Sequence, residues 1–146
     1  MALFDVNDNV RKVTATANGN LVDFDFNFQV NATTDIDVAL DGVAKQLTSD
    51  YTIVTSAGAA GLNADGTGTV RFNSAPANNV TVSIKSDVPL SRASVYTSGG
   101  NITAASLEAD FDRIVMALGD ADETLNRSLK APVNDPADVD MTLPKK

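Results

Sequence analysis

Val22-Asp23-Phe24-Asp25-Phe26-Asn27-Phe28-Gln29-Val30 places a large apolar side chain at every even position and Asp, Asn or Gln at every odd one. In a pleated strand, alternate side chains leave on opposite faces. This stretch therefore predicts a strand with one buried and one wet face. The period recurs in Asp35-Ile36-Asp37-Val38-Ala39-Leu40, where Asp35 and Asp37 are expected to point outward. It recurs again in Thr69-Val70-Arg71-Phe72 and in Val80-Thr81-Val82-Ser83-Ile84. One wet face per strand marks antiparallel pairing, because parallel sheets are covered on both sides. Turn residues separate the runs at Asn18-Gly19-Asn20, Asp41-Gly42, Asp65-Gly66 and Ala77-Asn78-Asn79. Asp41-Gly42, between Leu40 and Val43, predicts a tight hairpin. Strands are expected near 10–17, 21–30, 35–41, 43–47, 51–55, 68–73 and 79–86, with the Gly-rich segment 57–68 as a loop. Such spacing predicts a small antiparallel β-sandwich or open barrel.

Near Gly99-Gly100 the period changes from two to 3.6. Thr103 is a plausible N-cap, and a helix over 104–130 would run roughly 40 Å. Glu108, Asp110 and Asp112 near its start and Arg127 and Lys130 near its end suit the helix dipole. Leu107, Phe111, Ile114, Leu118, Ala121 and Leu125 are spaced 4, 3, 4, 3 and 4 apart, which is a heptad seam. An amphipathic helix folded back on its own sheet gives nearly the same spacing. Val115 and Leu129 widen the stripe, which suits a bundle of three, or one face on a partner helix and another on the sheet. Gly119 is a weak point where the helix can kink. Asp120-x-x-Glu123 has the form of a capping box that would restart it there. The Pro-containing segment 131–146 reads as an extended linker. The expected organisation is a β-rich unit over 1–100, a helix over 101–130 and the linker.

Composition narrows the chemistry. The 146 residues suit one domain of ordinary size. A net charge of -8 argues against a nucleic-acid partner, because phosphate binding needs clustered Lys and Arg. The chain has no Cys and no His, which removes thiolate sites, Cys nucleophiles and the commonest general base and metal ligand. No apolar run is long enough for a membrane span, and no signal peptide is visible. Arg11-Lys12 is too small a basic pair for an anion patch.

The remaining candidates are carboxylates. Asp23 with Asp25, and Asp35 with Asp37, have the makings of acid/base pairs, but a strand face without an apolar pocket would not shift their pKa values. Asn63-Ala64-Asp65-Gly66-Thr67-Gly68-Thr69 resembles the first half of a calcium loop and lacks the closing acid. No P-loop or nucleophile elbow occurs. The expectation is an association protein, not an enzyme, with no cofactor, metal or small-molecule substrate. A carbohydrate-binding β-sandwich is the alternative, although Tyr51 and Tyr96 are the only tyrosines and Trp is absent.

The order of parts carries a resemblance. Phe24-Asp25-Phe26-Asn27-Phe28, Ile36-Asp37-Val38-Ala39-Leu40-Asp41-Gly42, Leu47-Thr48-Ser49-Asp50-Tyr51-Thr52-Ile53, Gly68-Thr69-Val70-Arg71-Phe72 and Val80-Thr81-Val82-Ser83-Ile84 follow one another. Pro89-Leu90-Ser91-Arg92, Tyr96 and Gly99-Gly100-Asn101-Ile102-Thr103-Ala104-Ala105-Ser106-Leu107-Glu108 close the series. Over about residues 8–131 this resembles the N-terminal domain of tail fibre and tailspike proteins of podovirus-type bacteriophages. The resemblance implies a homotrimeric virion protein, made in the host cytoplasm, that anchors a fibre to the adaptor and nozzle proteins of the phage tail. It implies a coiled-coil-like trimer interface at Leu107, Phe111, Ile114, Leu118, Ala121 and Leu125. It also implies a sheet-to-helix junction at Arg92, Tyr96, Gly99, Gly100 and Arg113. Members of that group continue into a shaft and a receptor-binding or depolymerase tip, whereas this sequence stops at Lys146. It is therefore expected to be the anchor of a longer fibre or, alternatively, a stand-alone adaptor between the tail and a separate tailspike.

Overall fold

The computed structural model describes residues 10–89, 100 and 102–127. The strands are β1 (Lys12–Thr16), β2 (Asp23–Phe26), β3 (Ile36–Leu40), β4 (Val43–Lys45), β5 (Tyr51–Val54), β6 (Gly68–Phe72) and β7 (Thr81–Ser86). The α-helix α1 (Ala104–Asn126) follows. The strands form two antiparallel sheets, one ordered β1-β7-β3-β4 and the other β2-β6-β5.

The alternation holds through Phe28, although only Asp23–Phe26 is a strand; Gln29, expected on the wet face, is buried at 6% exposure where the chain has left the paired ladder. β2 ends at Phe26, yet Phe28 and Val30 continue the inward series and are completely buried. On the outer side, the register sets Asp23 opposite Arg71 and Asp25 opposite Thr69. Asp23 accepts two guanidinium hydrogen bonds from Arg71, at 2.7 and 2.8 Å, and Asp25 accepts one from Thr69 Oγ1 at 2.6 Å. Gly68 faces Phe26 in the same register. A Cβ there would lie 3.1 Å from the ring's Cζ and 3.3 Å from the Val54 carbonyl oxygen, so the ring occupies the space a side chain would need.

Both sheets contribute to one core. Phe24, Phe26, Ile53, Val70 and Phe72 come from the three-stranded sheet, and Ile36, Val38, Val82 and Ile84 from the four-stranded one. Phe24 meets Phe72 edge-on, with centroids 5.7 Å apart. The buried Tyr51 hydroxyl donates to the Ile36 carbonyl at 3.3 Å and so links one sheet to the other. The β3–β4 hairpin turns on Asp41 (φ 48°) and Gly42 (φ 80°). Two successive left-handed residues make the turn whose twist matches that of the strands it joins.

Asp35 departs from expectation. It closes a 3-10 turn over Thr33–Asp35, held by its amide donating to the Ala32 carbonyl at 3.0 Å. The two-residue period holds only in extended backbone, and the turn rotates Asp35 inward, to 4% exposure. Asp37, in the strand proper, does lie on the wet side and pairs with Lys85 at 3.1 Å.

The helix begins where its cap predicts. Thr103 Oγ1 accepts from the Ser106 amide at 3.2 Å. No acid lies in the first turn, so this hydroxyl, not a carboxylate against the dipole, serves the helix start. The chain stays helical through Gly119, without the kink or restart that its sequence allowed. Arg127 is the C-cap; Lys130 and the linker 131–146 lie outside the described residues.

Gly119 is required by packing. A Cβ there would sit 2.5 Å from Cδ of Arg11. In a free helix Ala would gain about 1 kcal/mol over Gly. Here Arg11 is held by its hydrogen bonds and cannot yield, and overpacking costs about 1–3 kcal/mol. Gly119→Ala is therefore expected to lower stability by about 1 kcal/mol, read as a lower urea midpoint at unchanged slope.

Candidate functional site

The helix has two working faces. One packs on the head: Met116 is fully buried, Ala117 nearly so, and both belong to the common core. The other carries the heptad seam. Leu107, Phe111, Ile114, Leu118 and Leu125 are 41–62% exposed, Val115 lies beside them at 51%, and Ala121 is exposed too. The seam is thus not the face folded onto the chain's own strands. It forms a stripe of large apolar groups that nothing in the described chain covers.

Behind the helix lies a polar network that the sequence reading did not find. Asp120 Oδ1 accepts from Arg11 Nε at 2.5 Å. Its Oδ2 accepts from Ser86 Oγ at 2.9 Å and from the Val88 amide at 2.8 Å. Arg11 Nη2 donates to Ser86 Oγ at 2.6 Å and to the Gln29 carbonyl at 3.1 Å. The Arg11 guanidinium also lies 5.9 Å over the Phe28 ring, within cation–π range. Arg11 is 6% exposed and Asp120 15%, so this ion pair is largely removed from solvent.

A sequence signal for it existed. Arg11, Val13, Ala15 and Ala17 share one strand phase, and that phase is the inward one; Ser86 likewise follows Val82 and Ile84. A charge in an inward phase needs a buried partner. Asp120 lies three and four residues beyond Ala117 and Met116, on the same helical side. Treating Arg11-Lys12 only as too small for an anion patch, and Asp120 only as a possible helix restart, overlooked these phases.

Of the residues expected at the sheet-to-helix junction, Gly100 and Arg113 are described. Arg113 Nε donates to the Pro89 carbonyl at 3.3 Å, bridging the helix and the segment after β7. Its charge also acts on Asp35. Gly100 is exposed, while Arg92, Tyr96 and Gly99 lie outside the described residues.

The two carboxylate pairs that the sequence singles out are each split between different surroundings. Asp23 is held below the usual carboxylate range by its hydrogen bonds to Arg71, so it stays ionised. Burial pushes Asp35 above that range, against the pull of Arg113. Its strand neighbour Asp37 is turned to the opposite side and occupied by Lys85. The expectation that no pocket shifts these groups is therefore corrected for Asp35.

The calcium-like loop uses its oxygens internally. Asp65 Oδ1 accepts from the Thr67 amide and hydroxyl, and Asn63 Oδ1 accepts from the Ser56 amide. Those bonds hold Asp65 below the ordinary range. No cluster of three or more ligating side chains suited to a metal occurs among the described residues.

No protein-family model matches the chain, and no curated protein matches it.

Proposed function

We propose that this chain is a structural virion protein: the trimeric anchor that joins a bacteriophage tail fibre or tailspike to the adaptor and nozzle proteins of the tail. The exposed heptad stripe on α1 supports this reading. Leu107, Phe111, Ile114, Leu118 and Leu125 repeat at coiled-coil spacing on a side of the helix that the head leaves uncovered. Burying each against two sister helices would stabilise the assembly by roughly 1.5–3 kcal/mol per large side chain. A bundle would carry three copies of every docking surface of the head. Weak contacts repeated in this way hold tightly through high effective concentration. The resemblance of its ordered sequence segments to those of podovirus tail anchors supports directing that association to the tail.

Light scattering over a range of concentrations should approach three times the chain mass. Phe111→Asp and Ile114→Asp should each reduce it to one chain while leaving the β-sheet circular dichroism unchanged. A single-chain mass at every concentration overturns the trimer. Antibody raised against residues 10–89 should mark the tail in images of purified phage particles, and its absence from particles overturns the virion role.

A further inference from the structure

We infer that the Arg11–Asp120–Ser86 network selects which face of the helix meets the head, and so keeps the apolar stripe free for sister chains. This rests on the trimeric reading above. The two faces of α1 are unequally apolar. The head side buries Met116 and Ala117, while the stripe carries Leu107, Phe111, Ile114, Val115, Leu118 and Leu125. Apolar area alone would turn the stripe inward, because burial free energy follows the area removed from water.

Hydrogen bonding decides otherwise. Asp120 takes donors from Arg11, Ser86 and the Val88 amide at once. Rolling the helix until Leu118 faced the core would carry that carboxylate away and leave the buried Arg11 guanidinium without its counter-charge. Unpaired buried donors cost more than the hydrogen bonds they had gained. Gly119 adds shape to the choice, since the Arg11 side chain fills the space beside its Cα. Uniqueness of packing here comes from a polar group, as a buried Asn fixes register in a coiled coil.

The chain has no cysteine, so single replacements report on each face separately. Ala117→Cys marks the head side and Leu118→Cys the stripe. Both are placed in the full chain and treated with a thiol reagent while light scattering gives a single-chain mass, reached by dilution or by adding Leu125→Asp. With the network intact, Leu118→Cys should react at least about tenfold faster than Ala117→Cys, because reaction at a buried site waits on local opening. In Arg11→Met/Asp120→Leu the order should reverse. Asp120→Asn provides a milder second background should the double variant fail to fold, and there the ratio should fall towards one. An unchanged order overturns the inference. So does fast reaction of both cysteines in Arg11→Met/Asp120→Leu, which would make the network a clamp without a choice of face. A chain that stays monomeric at all concentrations but still shows the reversal defeats the trimer and leaves the selector standing.

Discussion

Asp120→Ala is expected to destabilise the fold by about 3–5 kcal/mol, because it strands a charge inside the protein. Arg11 is 6% exposed and, among the described residues, would keep the Ser86 hydroxyl and the Gln29 carbonyl as acceptors. The Val88 amide would lose its acceptor as well. Urea unfolding of the variant beside the parent chain measures the loss. Arg11→Met/Asp120→Leu should lose much less, since removing both charges removes the desolvation cost together with the attraction. If Asp120→Ala unfolded within 1 kcal/mol of the parent, about the worth of a surface pair, the bridge would be a solvated contact and the face selection would lose its cause.

Truncating Phe28 should have a comparable effect through another mechanism. Phe28 is fully buried although it lies beyond the paired part of its strand. Its ring packs on Phe26 with centroids 5.0 Å apart and lies under the Arg11 guanidinium. Phe28→Ala removes the ring and leaves a cavity, a change that costs about 3–5 kcal/mol in a well-packed core. The same urea experiment reads it. Because Arg11 rests on this ring, Phe28→Ala and Asp120→Ala should not add. A double-mutant cycle should show coupling of about 0.5–3 kcal/mol, whereas strict additivity would mean that ring and ion pair are independent.

What the sequence could reveal follows the range of each interaction. Alternation in 22–30, the Asp41-Gly42 turn and the Thr103 cap depend on neighbours a few residues apart. The turn and the cap appear as expected, and the alternation does so until Gln29, which is buried beyond the end of the strand. Asp35 was misread because a three-residue turn breaks the alternation just before β3, and nothing in the alternation itself announces that break. The Arg11–Asp120 pair joins positions 109 residues apart, so neither partner explains the other locally. The inward phase of Arg11 was visible, but its partner required the tertiary fold. Helical spacing defined the stripe at Leu107, Phe111, Ile114, Leu118 and Leu125. It could not say which side of the helix the head would take, because the side chosen is the less apolar one.

The same 109-residue separation bears on synthesis. A ribosome releases the first strand long before the end of the helix. Until then Arg11 has no carboxylate to receive it, and the last layer of the head cannot close. Each newly made chain must finish its own fold before its helix is fixed against the head. On the trimeric reading proposed above, closure would come before assembly, and half-made chains on one message would offer one another no prepared surface.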